Sequence, residues 1–205
     1  VIAILRKVPL KATRGYLSAV AAGGIGAVEI ALNSPDALAQ IALAKELFQE
    51  KLLVGAGTAA SLPLAREAVR AGADFLLSPS ADRDVLEYCA GEQIPFLPGV
   101  MTPSDVNLCL RYGFDLLKLF PAGDLPLTYI KSLKGPFDTT DYVAVGGVKK
   151  ENVEAFFGAG YLGVGVGSNL IPKKLQQAED WEQAGQAVQS FMKLVPKKAP
   201  DSLSQ

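Results

Sequence analysis

Histidine is absent from all 205 residues. Without an imidazole the chain can build no His-based zinc centre, no Ser-His-Asp triad and no histidine proton relay, so acid-base work falls to Glu, Asp, Lys, Tyr or water. Cysteine is scarce: Cys89 and Cys109 lie in helix-period sequence, outside any CxxC spacing, and read as two reduced, partly buried thiols. Neither sign of charge dominates, with Lys+Arg 20 against Asp+Glu 21 and a formal net charge of -1. That leaves no basic field for nucleic acid and no polybasic anchor for a membrane. No apolar stretch is long enough to span a bilayer without Gly or charge, and the apolar part of "VIAILRKVPL" is too short for a signal peptide. A cytoplasmic location is the expectation.

Hydrophobic residues make up 49% and charged residues 20%, enough for one large core. A single domain is expected over 1–195, followed by a flexible tail over 196–205. Within the domain, eight β-rich runs alternate with helix-period segments: "VIAIL", "AVEIAL", "LLVGA", "DFLLS", "IPFLP", "DLLKLF", "YVAVG" and "LGVGVG". The intervening segments include 34–50, 61–72, 81–92, 102–113 and 149–160, with Ser, Thr or Asp near several starts. Several units run from a helix end through Gly into the next strand, as in "AAGGIGAVEI", "VRAGADFLLS", "LRYGFDLLKLF" and "FGAGYLGVGVG". Eight parallel strands with helices outside predict a (β/α)8 barrel. The rival, an open doubly wound sheet, usually carries an early GxGxxG turn, which has no match after the first strand.

In such a barrel, chemistry sits at the carboxyl ends of the strands. There "DLLKLFPAGD" places a lysine, Lys118, inside an apolar run, and side-chain alternation groups it with Leu116 and Phe120 on one face. Burial disfavours an ammonium ion and leaves free amine near neutral pH, which can attack a carbonyl and form an iminium electron sink. Glu29 interrupts "AVEIAL" in the same way, and parity groups it with Ala31 and Asn33. A carboxylate converging on the same lumen can shuttle protons during C–C cleavage. The plainer alternative is a buried Lys-carboxylate pair that only fills the lumen.

The third constellation is "VAVGGVKKENV" with "GVGVGSNL". Gly146 and Gly147 end the seventh run; Gly167 and Ser168 end the eighth and lead toward a short helix. Bare backbone N–H groups in these two loops suit a phosphate, and so an anionic or phosphorylated substrate. "GAGT" with Thr58, "SPS" at 78–80 and "PGVMTPSD" from Pro98 complete a polar rim.

These pieces, "VEIALNS", "VGAGT", "LLSPS", "FLPGVMTP", "LKLFPA", "VGGV" and "VGVGS", resemble in order and spacing the 2-keto-3-deoxy-6-phosphogluconate (KDPG) and 4-hydroxy-2-oxoglutarate aldolases, from Val1 to about Pro172. The resemblance implies a class I lyase on a (β/α)8 barrel, commonly a homotrimer, working without metal or other cofactor on a keto acid. By it, Lys118 would form a Schiff base with pyruvate and Glu29 would be the general acid/base. Thr58, Pro98 and Phe120 would contact substrate, while Gly146, Gly147, Gly167 and Ser168 would hold phosphate. Two departures stand out. Where many relatives have Pro-Thr before the glycine pair, this chain has Ala144-Val145. One hydrogen bond to a charged carboxylate is worth about 1.5–3 kcal/mol, enough to reshape substrate preference. Position 33 is Asn where some relatives place a carboxylate-binding Arg, and Arg6 at the end of the first strand can take that role. The same lysine could instead decarboxylate oxaloacetate, and a barrel that binds a sugar phosphate without turnover is the non-enzymatic alternative.

Overall fold

The computed structural model describes residues 1–197, so of the expected tail only Pro196 and Lys197 are described and the rest lies outside the described residues. Every expected strand forms, and the fifth, expected to end at Pro98, continues past it as a second short strand where the sequence predicts loop. The strands are β1 (Ile2–Leu5), β2 (Ala27–Ala31), β3 (Leu53–Gly57), β4 (Phe75–Leu77), β5 (Phe96–Leu97), β6 (Gly99–Val100), β7 (Leu116–Leu119), β8 (Asp141–Val145) and β9 (Gly163–Val166). All pairings are parallel, in the order β5-β4-β3-β2-β1-β9-β8-β7-β6. The two ends of that order, β5 and β6, are separated along the chain only by Pro98, so the ring closes through one interrupted strand. The chain is a (β/α)8 barrel whose fifth strand is split. Proline has no N–H to give to a ladder. Its carbonyl still serves, accepting the Lys118 N–H at 2.9 Å, and the neighbouring Gly99 N–H finds the Ser78 hydroxyl at 3.2 Å.

The helices are α1 (Thr13–Ala22), α2 (Ala37–Phe48), α3 (Leu62–Arg70), α4 (Arg83–Gly91), α5 (Pro103–Arg111), α6 (Tyr129–Lys134), α7 (Val153–Ala159), α8 (Lys173–Gln177) and α9 (Trp181–Met192). Their ends follow from local chemistry. At α5, Thr102 and Asp105 cap each other's backbone N–H groups and Pro103 takes the first turn, while Asp82 accepts from the Val85 N–H to start α4. Gly24, Gly72, Gly113 and Gly160 have φ of 91°, 96°, 83° and 103°, the left-handed exits expected from the sequence. The helix expected just after Ser168 begins only at Lys173, because residues 168–171 form a turn and bend first. None of the helices among the described residues is long and apolar enough to cross a membrane.

Strand alternation sorts the core into two parts. Leu117 and Leu119 of β7 join the large layer between barrel and helices, whereas Ile4, Leu77, Leu97, Val143 and Val145 form a small inner cluster with Ile2, Phe75 and Phe120 against it. Glycines make room for this inner filling. A Cβ on Gly55 would strike the Phe75 ring, and one on Gly165 would crowd Val145 and Ile4.

Candidate active site

Lys118 is 3% exposed and Glu29 0%, both on strands whose other buried members are apolar. Lys118 sits level with Gly99 and Val143, on the inward side opposite Leu117 and Leu119. Its Nζ lies 5.3 Å from the centre of the Phe120 ring, whose π face favours a cation there. Glu29 pairs in register with Ile4 and Gly55. Its carboxylate rises over Gly57, where any Cβ would overlap it, so only glycine at position 57 leaves space for the acid.

Both groups are driven toward neutrality. Burial raises the Glu29 carboxyl above the ordinary carboxylate range, opposed by the positive charges of Lys118 and Arg6. Burial lowers Lys118, opposed by Glu29 and reinforced by Arg6. The two are not locked together: neither Glu29 oxygen has a hydrogen-bond partner among the described residues, and no salt bridge joins the carboxylate to Lys118. A buried acid without a partner is costly, and it stands free to hydrogen-bond a guest.

The rim residues are less uniform. Arg6 follows β1 directly, is exposed, and makes no salt bridge among the described residues. Thr58 is half-buried at the end of β3 with φ of 61°, an unusual conformation for a β-branched residue and a mark of a strained, tightly specified position. Pro98 is buried at the split in the fifth strand, and Phe120 is half-buried just past β7. Gly146 and Gly147 have φ of 91° and 74°, and the Gly147 backbone packs on Gly123. The Gly147 and Ser168 N–H groups have no backbone acceptor among the described residues. Asn169 ties their two loops together, donating to the Val148 carbonyl at 3.0 Å. Asn33 departs from expectation: β2 stops at Ala31, so parity no longer applies, and Asn33 lies exposed in the following turn rather than on the Glu29 face.

A family model described as KDPG and KHG aldolase matches residues 1–187. The chain belongs to the KDPG and KHG aldolase family. It is therefore an aldolase, a carbon–carbon lyase of the Schiff-base class. It is 32% identical over 194 residues to the 2-dehydro-3-deoxy-6-phosphogalactonate aldolase of Escherichia coli, covering 94% of this chain and 92% of that one. It is 32% identical over 171 residues to the 2-dehydro-3-deoxy-phosphogluconate aldolase of Pseudomonas aeruginosa, covering 80% and 75%. In structure it resembles the KDPG aldolase of Legionella pneumophila with pyruvate captured at low pH as a covalent carbinolamine, with a TM-score of 0.84, 26% identity and 93% of each chain covered.

Around the lumen of this aldolase, sequence reasoning missed the apolar wall of Ile4, Leu77 and Leu97, which reads as ordinary strand sequence. It also missed Gly57 as the niche for Glu29, since a strand glycine signals a close approach without saying what approaches.

Proposed function

We propose that this aldolase cleaves a 2-keto-3-deoxy phosphosugar acid, or the shorter 4-hydroxy-2-oxo acid, to pyruvate and an aldehyde, with Lys118 as nucleophile and Glu29 as general acid/base. The observation that carries the reading is a buried amine, its pKa lowered by burial, beside a buried carboxyl that has no hydrogen-bond partner among the described residues. The neutral Lys118 amine adds to the C2 carbonyl, and the carbinolamine loses water to give an iminium. Glu29 takes the proton of the C4 hydroxyl as the C3–C4 bond breaks, and the electron pair moves into the enamine. The aldehyde leaves, C3 is protonated, and water returns to release pyruvate and the free amine.

Arg6 is the carboxylate anchor in this proposal, because its guanidinium bears on both Lys118 and Glu29 and has no partner of its own among the described residues. Thr58, Pro98 and Phe120 contact the substrate near Lys118. Gly146, Gly147, Gly167 and Ser168 hold the phosphate, supported by the left-handed glycines and unengaged N–H groups of these loops. Asn33 lines the outer rim. A single domain over 1–195, a homotrimer, as the family resemblance implies, and a cytoplasmic setting complete the reading.

Incubation with pyruvate and borohydride, followed by intact mass and peptide mapping, tests the nucleophile. A reduced pyruvyl adduct is expected on Lys118 and none in Lys118→Ala; labelling elsewhere, or no labelling, removes the assignment. A phosphorylated substrate should be turned over with a higher kcat/KM than its unphosphorylated analogue, and parity between the two counts against the phosphate cradle.

A further inference from the structure

Among the described residues, seven polar or charged ones are buried: Thr13, Glu29, Ser34, Gln40, Ser78, Lys118 and Thr140. Glu29 and Lys118 belong to the lumen. Of the other five, three gather at one place outside it, behind the β1–α1 loop that carries Arg6. Gln40 of α2 is fully buried, and its amide donates to the Val8 carbonyl at 2.8 Å and to the Thr13 hydroxyl at 2.8 Å. The Ser34 hydroxyl, from the loop after β2, accepts the Lys7 backbone N–H at 2.9 Å. Lys7 itself has φ of 56°, a left-handed turn that a non-glycine residue adopts only when its surroundings impose it.

Packing alone does not account for this cluster. Gln40 lies on the apolar face of α2 with Ala37, Ile41 and Ala44, where an aliphatic residue would fill the space without burying an amide. Its Oε1 has no partner among the described residues, so the position keeps its two donated bonds at the expense of an unsatisfied acceptor. Both donated bonds and the Ser34 bond end on residues 7–13, the chain immediately after Arg6.

We infer that Gln40, Thr13 and Ser34 form a positioning network that fixes the turn at Lys7 and so aims the Arg6 guanidinium at the substrate carboxylate. None of the three touches the reacting atoms; they act through Arg6. A long, exposed side chain binds a carboxylate well only when its backbone is held, because the ordering is then complete before the ligand arrives. The inference rests on the reading of Arg6 as the carboxylate anchor.

Pyruvate is the probe, and the readout is the pyruvate concentration giving half-maximal borohydride trapping, kept separate from the trapping rate at saturation. Ser34→Ala and Gln40→Met should each raise the half-saturating concentration about three- to tenfold, with the saturated rate unchanged within about twofold. Arg6→Ala should raise it further, and neither substitution should add to that effect when combined with Arg6→Ala. Ser34→Ala removes a single oxygen from a loop and carries the test should Gln40→Met fail to fold. Unchanged half-saturation in the single variants, a fall in the saturated rate alone, or full additivity with Arg6→Ala each overturns the positioning role while leaving Arg6 as anchor. An Arg6→Ala protein that saturates like the parent removes the anchor, and the network's purpose with it.

Discussion

The charges of Lys118 and Glu29 each oppose what burial does to the other: burial lowers the amine and the carboxylate pulls it up, burial raises the carboxyl and the amine pulls it down. Free amine therefore accumulates as pH rises through a value below the ordinary lysine range, and the rate of pyruvate trapping should climb over that same interval. Removing the negative charge with Glu29→Gln takes away the upward pull, so the trapping profile should shift to lower pH. Turnover should meanwhile fall about 10²–10⁴-fold, since proton transfer at C–C cleavage is lost. A profile that stays in place, or moves to higher pH, contradicts the coupling. These two residues were legible in the sequence because each puts a charge into an otherwise apolar strand. Asn33 was not, because parity holds only while the strand lasts and nothing local marks Ala31 as its end. Gln40 left a readable signal, a polar residue at helical spacing among Ala37, Ile41 and Ala44, but not the loop that it holds.

Strands and helix exits were the most legible elements, since two-residue and helical periodicities and a glycine at a left-handed exit each have a short-range cause. Only the first half of the fifth strand was legible, because the expected run ends at Pro98 and Gly99–Val100 reads as loop. Pro98 forbids one ladder bond, but only the closed ring shows that its two sides pair with β4 and β7 respectively. Trp181 packing across Gly15, which seats α9 against α1, left no local trace, because the two residues are far apart in sequence. Gly57 belongs to this scale as well: β3 must run bare at that point for β2 to carry an acid. Gly57→Ala should cost about 1–3 kcal/mol in denaturant unfolding, the usual consequence of overpacking, and should lower kcat by displacing the carboxylate. A variant of parent stability and parent rate means that the strand yields and the niche is not tight.

At the scale of the molecule, the two buried ionisable groups tilt stability with pH in opposite senses. A carboxyl raised in the fold binds more protons there than in the unfolded chain, so stability falls as pH rises from the ordinary carboxylate range to its raised value. An amine lowered in the fold binds fewer, so stability rises from its lowered value to the ordinary lysine range. Lys118→Met combined with Glu29→Gln should flatten both slopes and raise the melting temperature, by the equivalent of about 1–4 kcal/mol, while abolishing trapping. A double variant that melts at or below the parent's temperature across the pH range shows that the pair stabilises the barrel after all. The ring has a further consequence in time. β1 pairs with β9, so the barrel's first strand waits for its last before the wall around Lys118 is whole. A chain cut short before Gly163 leaves that wall open to water, and Lys118 in it should trap pyruvate no faster than a surface lysine. The reactivity of the amine is then a report on ring closure: it exists only where the barrel's first strand has met its ninth.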